Sequence, residues 1–337
     1  MRHEVDEVRL APFAERGTTD VPEDVGEALR VAVDWPDTLV PGAGGTRALW
    51  ELLATLAASD LAVARAVEPH LDARAILAQA GIPAGSTTWG VFAAEAPDVR
   101  LDARPTGAGD VWHLTGTKPW CSLAARLDTA LVTAHLEDGG RGLFAVDLRG
   151  DDITVLSTPW AARGLAEIPS VPVRFDDVPA VPVGAPGWYL ERPGFWWGGI
   201  GVAACWFGGA VGVGRRVLAE ARRRDDDRLL AMHLGTVDES LESARRALAE
   251  AADLVDAGTL DAADGRVLAK RVRGTVARTC EDMLTTAAHA LGPAPLAFEP
   301  DHAKRVADLQ VYVRQHHAER DAASLGSAWA GREDRPW

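Results

Sequence analysis

The sequence predicts a mainly helical α+β chain in three parts. These are an N-terminal helical domain over residues 1–88, an antiparallel β-domain over 89–185, and a C-terminal four-helix bundle over 186–337. Three observations predict this order. Apolar residues recur at helical spacing up to about residue 88. From Trp89 short β-rich runs alternate with turn clusters. After Gly187 the helical period returns in runs long enough to make a bundle of antiparallel helices.

The first part contains candidate helices at 23–33, 46–58, 60–68 and 71–80. Ser59-Asp60 offers a cap, because a short polar side chain can accept from the free N–H groups of a first turn. Gly81 and Pro83 stop the last of these helices. The β-rich runs are 90–94, 111–114, 130–135, 142–146, 153–156 and 172–175, and the turn clusters are 107–110, 137–140 and 149–152. The bundle helices are 195–224, 237–257 ending at Gly258, 261–291 closed by Gly292-Pro293, and 301–325. There is no internal repeat.

With 337 residues, 47% of them hydrophobic, the chain can bury a large core. The net charge of −14 argues against nucleic acid or an anionic membrane surface as a partner, since both need a basic face. Lysine occurs only at positions 118, 270 and 304. Cys121, Cys205 and Cys280 are far apart and form no CxxC pair, so neither a zinc site nor a disulfide scaffold is expected. The first residues are charged and carry no apolar run of the signal-peptide kind, so the expectation is a cytoplasmic protein. The apolar stretch 195–213 approaches a membrane span in length. It is Gly-rich, carries Trp196, Trp197 and Trp206, and runs into Arg215-Arg216, so it reads as a helix buried in the bundle.

One segment carries more specific information. Gly116-Thr117-Lys118-Pro119-Trp120-Cys121-Ser122 lies between two strand-like runs, 111–115 and 129–134. A Gly-Thr-Lys turn followed by Trp-x-Ser resembles the flavin-contacting strand of the acyl-CoA dehydrogenase family. Phe175-Asp176-Asp177-Val178-Pro179 resembles the strand and turn that leave that family's β-domain. Residues 187–195 resemble the loop before its first bundle helix, and Arg215 to Ala221 fit that helix's Ala-rich pattern. Ala290-Leu291-Gly292 and Glu299-Pro300 fall where the family has a Gly-rich segment and an acidic-Pro pair. The resemblance covers about residues 45–325 and lies in the ordered set rather than in any one motif.

The resemblance implies FAD as cofactor. An isoalloxazine ring needs a flat apolar wall and a few hydrogen bonds at its polar edge. Trp120 is the expected wall and Ser122 the expected hydroxyl; the competing reading makes Trp120 a plug between sheet and bundle and Ser122 a turn residue. Phe92-Ala93-Ala94-Glu95-Ala96-Pro97 aligns with a flavin-edge strand in which Ala94 replaces a threonine. Arg228 falls at the position of an arginine that grips the FAD pyrophosphate across a subunit interface, or else belongs to a solvated mixed-charge helix end. His289 and Gly292 are what stand in the last cofactor-binding segment.

The family's reaction removes a proton next to a thioester carbonyl while a hydride leaves the adjacent carbon, and it needs a carboxylate base. Asp308-Leu309-Gln310-Val311-Tyr312 resembles the lead-in to one of the two positions that hold this base, which then falls near His316; the other falls near Val202. Neither is a carboxylate. Glu191, Glu299 and Glu319 are the nearest in sequence. His316 or His317 is the candidate replacement, since imidazole titrates near neutrality, and the alternative is an exposed helix turn. The resemblance thus implies an oxidoreductase acting on a CH–CH bond of an acyl thioester or related small substrate. It also leaves open a flavin-dependent monooxygenase of the same fold, or a catalytically silent subunit of a heteromer. It further implies a homodimer or dimer of dimers, and against the family's usual N-terminal helical domain the one expected at 1–88 is shortened.

Overall fold

The computed structural model describes residues 2–15, 17–107 and 111–333. Part of the expected turn at 107–110, namely 108–110, lies outside them. The chain opens with strands β1 (Arg2–Asp6) and β2 (Thr18–Pro22), followed by helices α1 (Val25–Ala32), α2 (Thr46–Ser59) and α3 (Leu61–Gln79). The β1–β2 hairpin corrects the expectation of helix from the first residue: its register runs from Arg2 opposite Pro22 to Asp6 opposite Thr18. These strands are polar and short, so periodicity does not reveal them. The chain beyond β1 is held by α2, whose Thr55 and Glu51 side chains accept from the N–H groups of Val8 and Leu10.

Asp60 caps α3 as expected, accepting from Ala62 N at 2.8 Å. The two helices expected at 60–68 and 71–80 are one, running through Pro69. Proline has no N–H to give the carbonyl four residues back, so the ladder is interrupted at the Arg65 carbonyl.

The middle of the chain forms β3 (Trp89–Phe92), β4 (Leu101–Pro105), β5 (Trp112–Ser122), β6 (Thr129–His135), β7 (Arg141–Asp147), β8 (Ile153–Val155) and β9 (Ser170–Pro182). The sheet is mixed rather than antiparallel: β3 runs parallel to β6, while β5 pairs antiparallel with β4 and β9. β7 pairs with both β6 and β9. The Gly-Thr-Lys segment is not a turn between two strands. It is the second half of the long strand β5.

The C-terminal part contains the short α4 (Trp188–Glu191) and three 30-residue helices, α5 (Gly194–Arg223), α6 (Arg228–Ala257) and α7 (Ala262–Leu291). After them come α8 (Ala294–Phe298), α9 (Pro300–Tyr312) and α10 (Glu319–Ala330). α6 starts nine residues before the expected 237 because Asp227 caps it, its Oδ1 accepting from Leu229 N and Leu230 N at 3.0 Å each. The single helix expected at 301–325 is broken. A 3-10 turn at Val313–Gln315 and a positive φ of 42° at Ala318 separate α9 from α10. Long-range contacts override local propensity here: Arg273 of α7 donates to the Gln315 carbonyl at 3.3 Å, and Lys270 of α7 holds Asp321 at 3.2 Å. The fourth bundle element is therefore two short helices.

α5 is long and apolar enough to cross a membrane, but 72% of its most apolar window is buried against the rest of the chain. Trp206 at its centre is fully buried, as is Trp50 of α2. Gly208 explains part of its glycine content. A Cβ there would run into the backbone of Ala54, so only glycine lets α5 and α2 approach this closely. Gly208→Ala is therefore expected to cost about 1–3 kcal/mol through overpacking, measured as a lower denaturant midpoint with the cooperativity of unfolding kept.

Candidate active site

The site is built outward from β5. Gly116 has φ 127°, and a Cβ there would meet the Arg100 carbonyl, so the strand bends at this point only because the residue is glycine. Lys118 then turns inward and is fully buried. Its Nζ donates to Glu95 Oε1 at 2.7 Å and to Thr133 Oγ1 at 2.8 Å. Burial pushes the Lys118 pKa down against the pull of Glu95. Burial also works to raise Glu95, but the Lys118 hydrogen bond and charge outweigh it and leave that carboxyl low. This pair ties the segment after β3 to β5 and β6.

A second register shift lies between Lys118 and Cys121. In it, Trp120 has φ 58° and keeps 55% of its surface exposed. A bulky residue in the left-handed region is unfavourable by about 1–2 kcal/mol, and such strain clusters at functional positions. Cys121, next along, is fully buried with its thiol pushed up to about 12 by burial, so it is not a nucleophile.

Ser122 joins the sheet to the helices. Its Oγ is 2.7 Å from Ser170 Oγ and accepts from Arg65 Nη2 of α3 at 3.0 Å. The Arg65 guanidinium lies 5.6 Å from the centre of the Tyr312 ring. Tyr312 meets Trp206 edge-on at 6.2 Å, Trp206 meets the His316 ring at 6.3 Å, and Arg273 stacks 4.6 Å from the Trp206 ring. Glu68, one turn along α3, is buried beside this chain of contacts. Its carboxylate is 3.9 Å from Arg65 Nη1, beyond hydrogen-bond distance. Burial pushes the Glu68 pKa up to about 7, opposed by the Arg65 charge. Arg65 Nη1, the Tyr312 hydroxyl, and the indole N–H groups of Trp206 and Trp50 are buried with no hydrogen-bond partner. Unpaired buried donors are costly, which makes four of them around one interior a notable concentration.

The expected site residues divide into two groups. Ser122 and His316 are linked through Arg65, Tyr312 and Trp206, and Trp120 precedes Ser122 on β5. Phe92 is buried at the end of β3, opposite Val132, and Ala94 is exposed just beyond it. His316 is not in a helix but in the break after α9. It lies 3.3 Å from Asp321 without a hydrogen bond, and burial lowers its pKa. His317 is exposed, and its backbone N–H donates to Asp321 at 3.2 Å. Arg228, His289 and Gly292 lie at a different place, where the start of α6 meets the end of α7. Arg228 and His289 are exposed, the His289 ring sits 6.5 Å from that of His233, and Gly292 closes α7 with φ 69°. Among the described residues no hydrogen bond, ion pair or ring contact connects this second group to Trp120 or Ser122.

Val313, directly after Tyr312, is buried and apolar. Val202 is partly buried on α5. Glu299 is held by Arg216 through two hydrogen bonds of 2.7 and 2.8 Å, and Glu191 and Glu319 are exposed. Arg65 and Glu68 were not among the expected site residues. The available signal was two ionisable residues three apart in an otherwise apolar helical run, Leu61-Ala62-Val63-Ala64-Arg65-Ala66-Val67-Glu68.

Glu68 makes a stability prediction. Its pKa in the folded chain, about 7, is above the ordinary 4.5. Below pH 4.5 the carboxyl is neutral in both states. As the pH rises to 7 the unfolded chain ionises first, and the stability that the neutral carboxyl supplied is lost through that window. Glu68→Gln removes this loss. Relative to the native chain it should gain about 3 kcal/mol between pH 4.5 and pH 8, read from denaturation midpoints at both pH values. An equal midpoint difference at the two pH values would show that Glu68 titrates normally.

Comparison with protein-family models and with curated proteins finds no match. Solved structures do match. Butyryl-CoA dehydrogenase from Megasphaera elsdenii superposes with a TM-score of 0.78 at 17% identity, covering 91% of this chain and 89% of that one. KijD3, in a complex with FMN and a dTDP-linked amino-keto sugar, gives 0.74 at 20% identity, covering 92% and 84%. The dibenzothiophene monooxygenase TdsC from Paenibacillus sp. A11-2 gives 0.74 at 15% identity, covering 90% and 87%. At these identities the shared property is the fold, and this chain has the acyl-CoA dehydrogenase-like fold.

Proposed function

We propose that this chain is a flavin-dependent oxidoreductase whose isoalloxazine site is the face of Trp120 with Ser122 at its edge. The observation that carries the reading is Trp120 itself: a large aromatic residue held at positive φ, half exposed, next to a hydroxyl already fixed by Arg65. A plug between sheet and bundle would be buried on both faces. A flavin bound here would supply a two-electron acceptor. The chain's own residues would supply the rest. Trp120 gives the flat wall, Ser122 and the free Arg65 N–H give hydrogen bonds, and the Lys118–Glu95 pair keeps the segment at 92–97 in register beside them. The solved relatives that carry FMN support a flavin of some kind.

FAD is the form we propose, with Arg228 of a second copy of the chain on the pyrophosphate. Arg228 is exposed, and so are its neighbours Leu229 and Met232, the composition of a face that a second copy could cover. The substrate we propose is a small acyl thioester oxidised at a CH–CH bond. The interior cavity bordered by Glu68, Asp72, Trp50 and Trp197 has a volume of about 20 Å³, room for one water, so the substrate would lie outside it. A second reading, a monooxygenase of the same fold, is favoured by the lack of a carboxylate at Val202 and His316, the two expected base positions, and by the partly buried imidazole of His316. Oxygen consumption with flavin reductase, and no reduction by acyl thioesters, would select it.

Purified protein is expected to take up flavin with a shifted and structured visible spectrum, and mass analysis of the released cofactor is expected to give FAD. Trp120→Ala should weaken flavin binding by ~10-fold or more, the loss of one stacking aromatic, while the melting temperature stays nearly the same, since the side chain is half exposed and alanine keeps the same positive φ. Protein that stays colourless with both FAD and FMN would reject the reading and leave a flavin-free subunit. Released FMN would remove Arg228 from the site.

A further inference from the structure

Side chains two apart on a strand, or directly opposite across an antiparallel pair, share one face of a sheet. On β6 and β7 Thr133 lies opposite Leu143 and His135 opposite Arg141, so all four share a face. Leu131 and Leu143 of this face pack with Leu77 of α3 and Tyr189 of α4. Beyond them the apolar layer gives way to a pocket of about 110 Å³, bordered by Ala93, Thr133, Arg141, Tyr189, Leu190 and Phe195. That is room for about three or four waters, or for one small organic molecule. Leu190 and Arg141 are partly exposed, so the pocket opens to solvent. Its walls are fixed: Gly187 N donates to the Arg141 carbonyl at 2.8 Å, and Tyr189 meets Phe195 edge-on at 5.4 Å. The polar groups of the pocket are donors. Thr133 Oγ1 accepts from Lys118 Nζ at 2.8 Å, and an ammonium has no lone pair to give back. The Thr133 hydroxyl proton is therefore left to point elsewhere, and among the described residues no acceptor takes it. The Arg141 guanidinium makes no hydrogen bond among them either. Glu95 lies 3.8 Å from its Nη1 but is taken by Lys118 at 2.7 Å, with His135 3.6 Å from the other oxygen. Two full cations thus share one carboxylate. Burial lowers the Lys118 pKa and the Arg141 charge lowers it further, so an added negative charge would relieve both.

We propose that this pocket binds a short-chain carboxylate, its oxygens on the Arg141 guanidinium and the Thr133 hydroxyl and its alkyl carbons against Ala93, Leu190 and Phe195. Arginine presents its N–H groups in a planar fork that suits a carboxylate. The apolar lining favours an organic anion over chloride or phosphate, which would leave that surface unfilled. The volume suits an acid of the size of propionate. The site and its ligand are independent of the flavin reading, because neither Trp120 nor Ser122 borders the pocket.

The experiment uses the full chain as purified, with isotope-labelled propionate followed by carbon NMR. Native protein should bind the label saturably. Arg141→Gln should weaken binding by ~10-fold or more, and Arg141→Lys by less, since lysine keeps the charge without the fork. Leu190→Trp should fill the pocket and abolish binding. Arg141 and Leu190 are both partly exposed, so the melting temperatures of all three variants should stay near that of the native chain. No saturable binding by native protein overturns the proposal, and so does binding that is unchanged in Arg141→Gln or in Leu190→Trp. Chloride or phosphate that displaces the label as well as unlabelled propionate does would overturn the choice of a carboxylate.

Discussion

Arg65 sits in an otherwise apolar stretch of α3, with Ser122 of the sheet accepting from one side of its guanidinium and the Tyr312 ring lying against it. This one side chain links β5, α3 and the end of α9. Taking a guanidinium out of water is expensive unless it is paired, and Arg65 is paired only in part: one nitrogen reaches Ser122, the other has no acceptor. The half-satisfied state propagates. Glu68 is close enough to feel the charge but too far to hydrogen-bond to it, so its own burial decides its protonation.

The surrounding interior repeats the pattern on a larger scale. Arg192 reaches Gln79 at 2.7 Å and lies 3.9 Å from Asp72, and Arg273 stacks on Trp206 and donates to the Gly199 carbonyl. Three arginines and two carboxyls therefore share the space between α2, α3, α5 and α7. With Glu68 neutral the balance is more positive still. Such an interior favours an electron-rich group on a substrate over a purely hydrocarbon one, and the free donors give it an orientation. Stability alone would be served better by apolar replacements, so the cost of this cluster is itself an argument that the chain uses it.

The order of helices, sheet and helices was legible because each part has a clear period, and Asp60, Gly258 and Gly292 mark helix ends where their chemistry requires. The β1–β2 hairpin was not legible, since its strands are polar and α2 side chains complete its hydrogen bonding from a distance. The break after Tyr312 depends on Lys270 and Arg273, which lie 51 and 42 residues before their partners Asp321 and Gln315. The Trp120–Ser122 segment could be read as part of the β-domain from its local pattern, although its geometry is a bulged strand rather than a turn. Arg65 and Glu68 could not be assigned from a motif, because their meaning comes from what folds over them: Ser122, Tyr312 and Trp206 are all far off in the chain.

The Trp120 face, Ser122 and Arg65 are proposed to form a flavin site together. A crystal structure of the chain with flavin added decides this. The isoalloxazine ring is expected against Trp120, with its polar edge within hydrogen-bond distance of Ser122 or Arg65. Flavin bound elsewhere, or a Trp120 face covered by the chain itself with Arg65 turned away from Ser122, would contradict it.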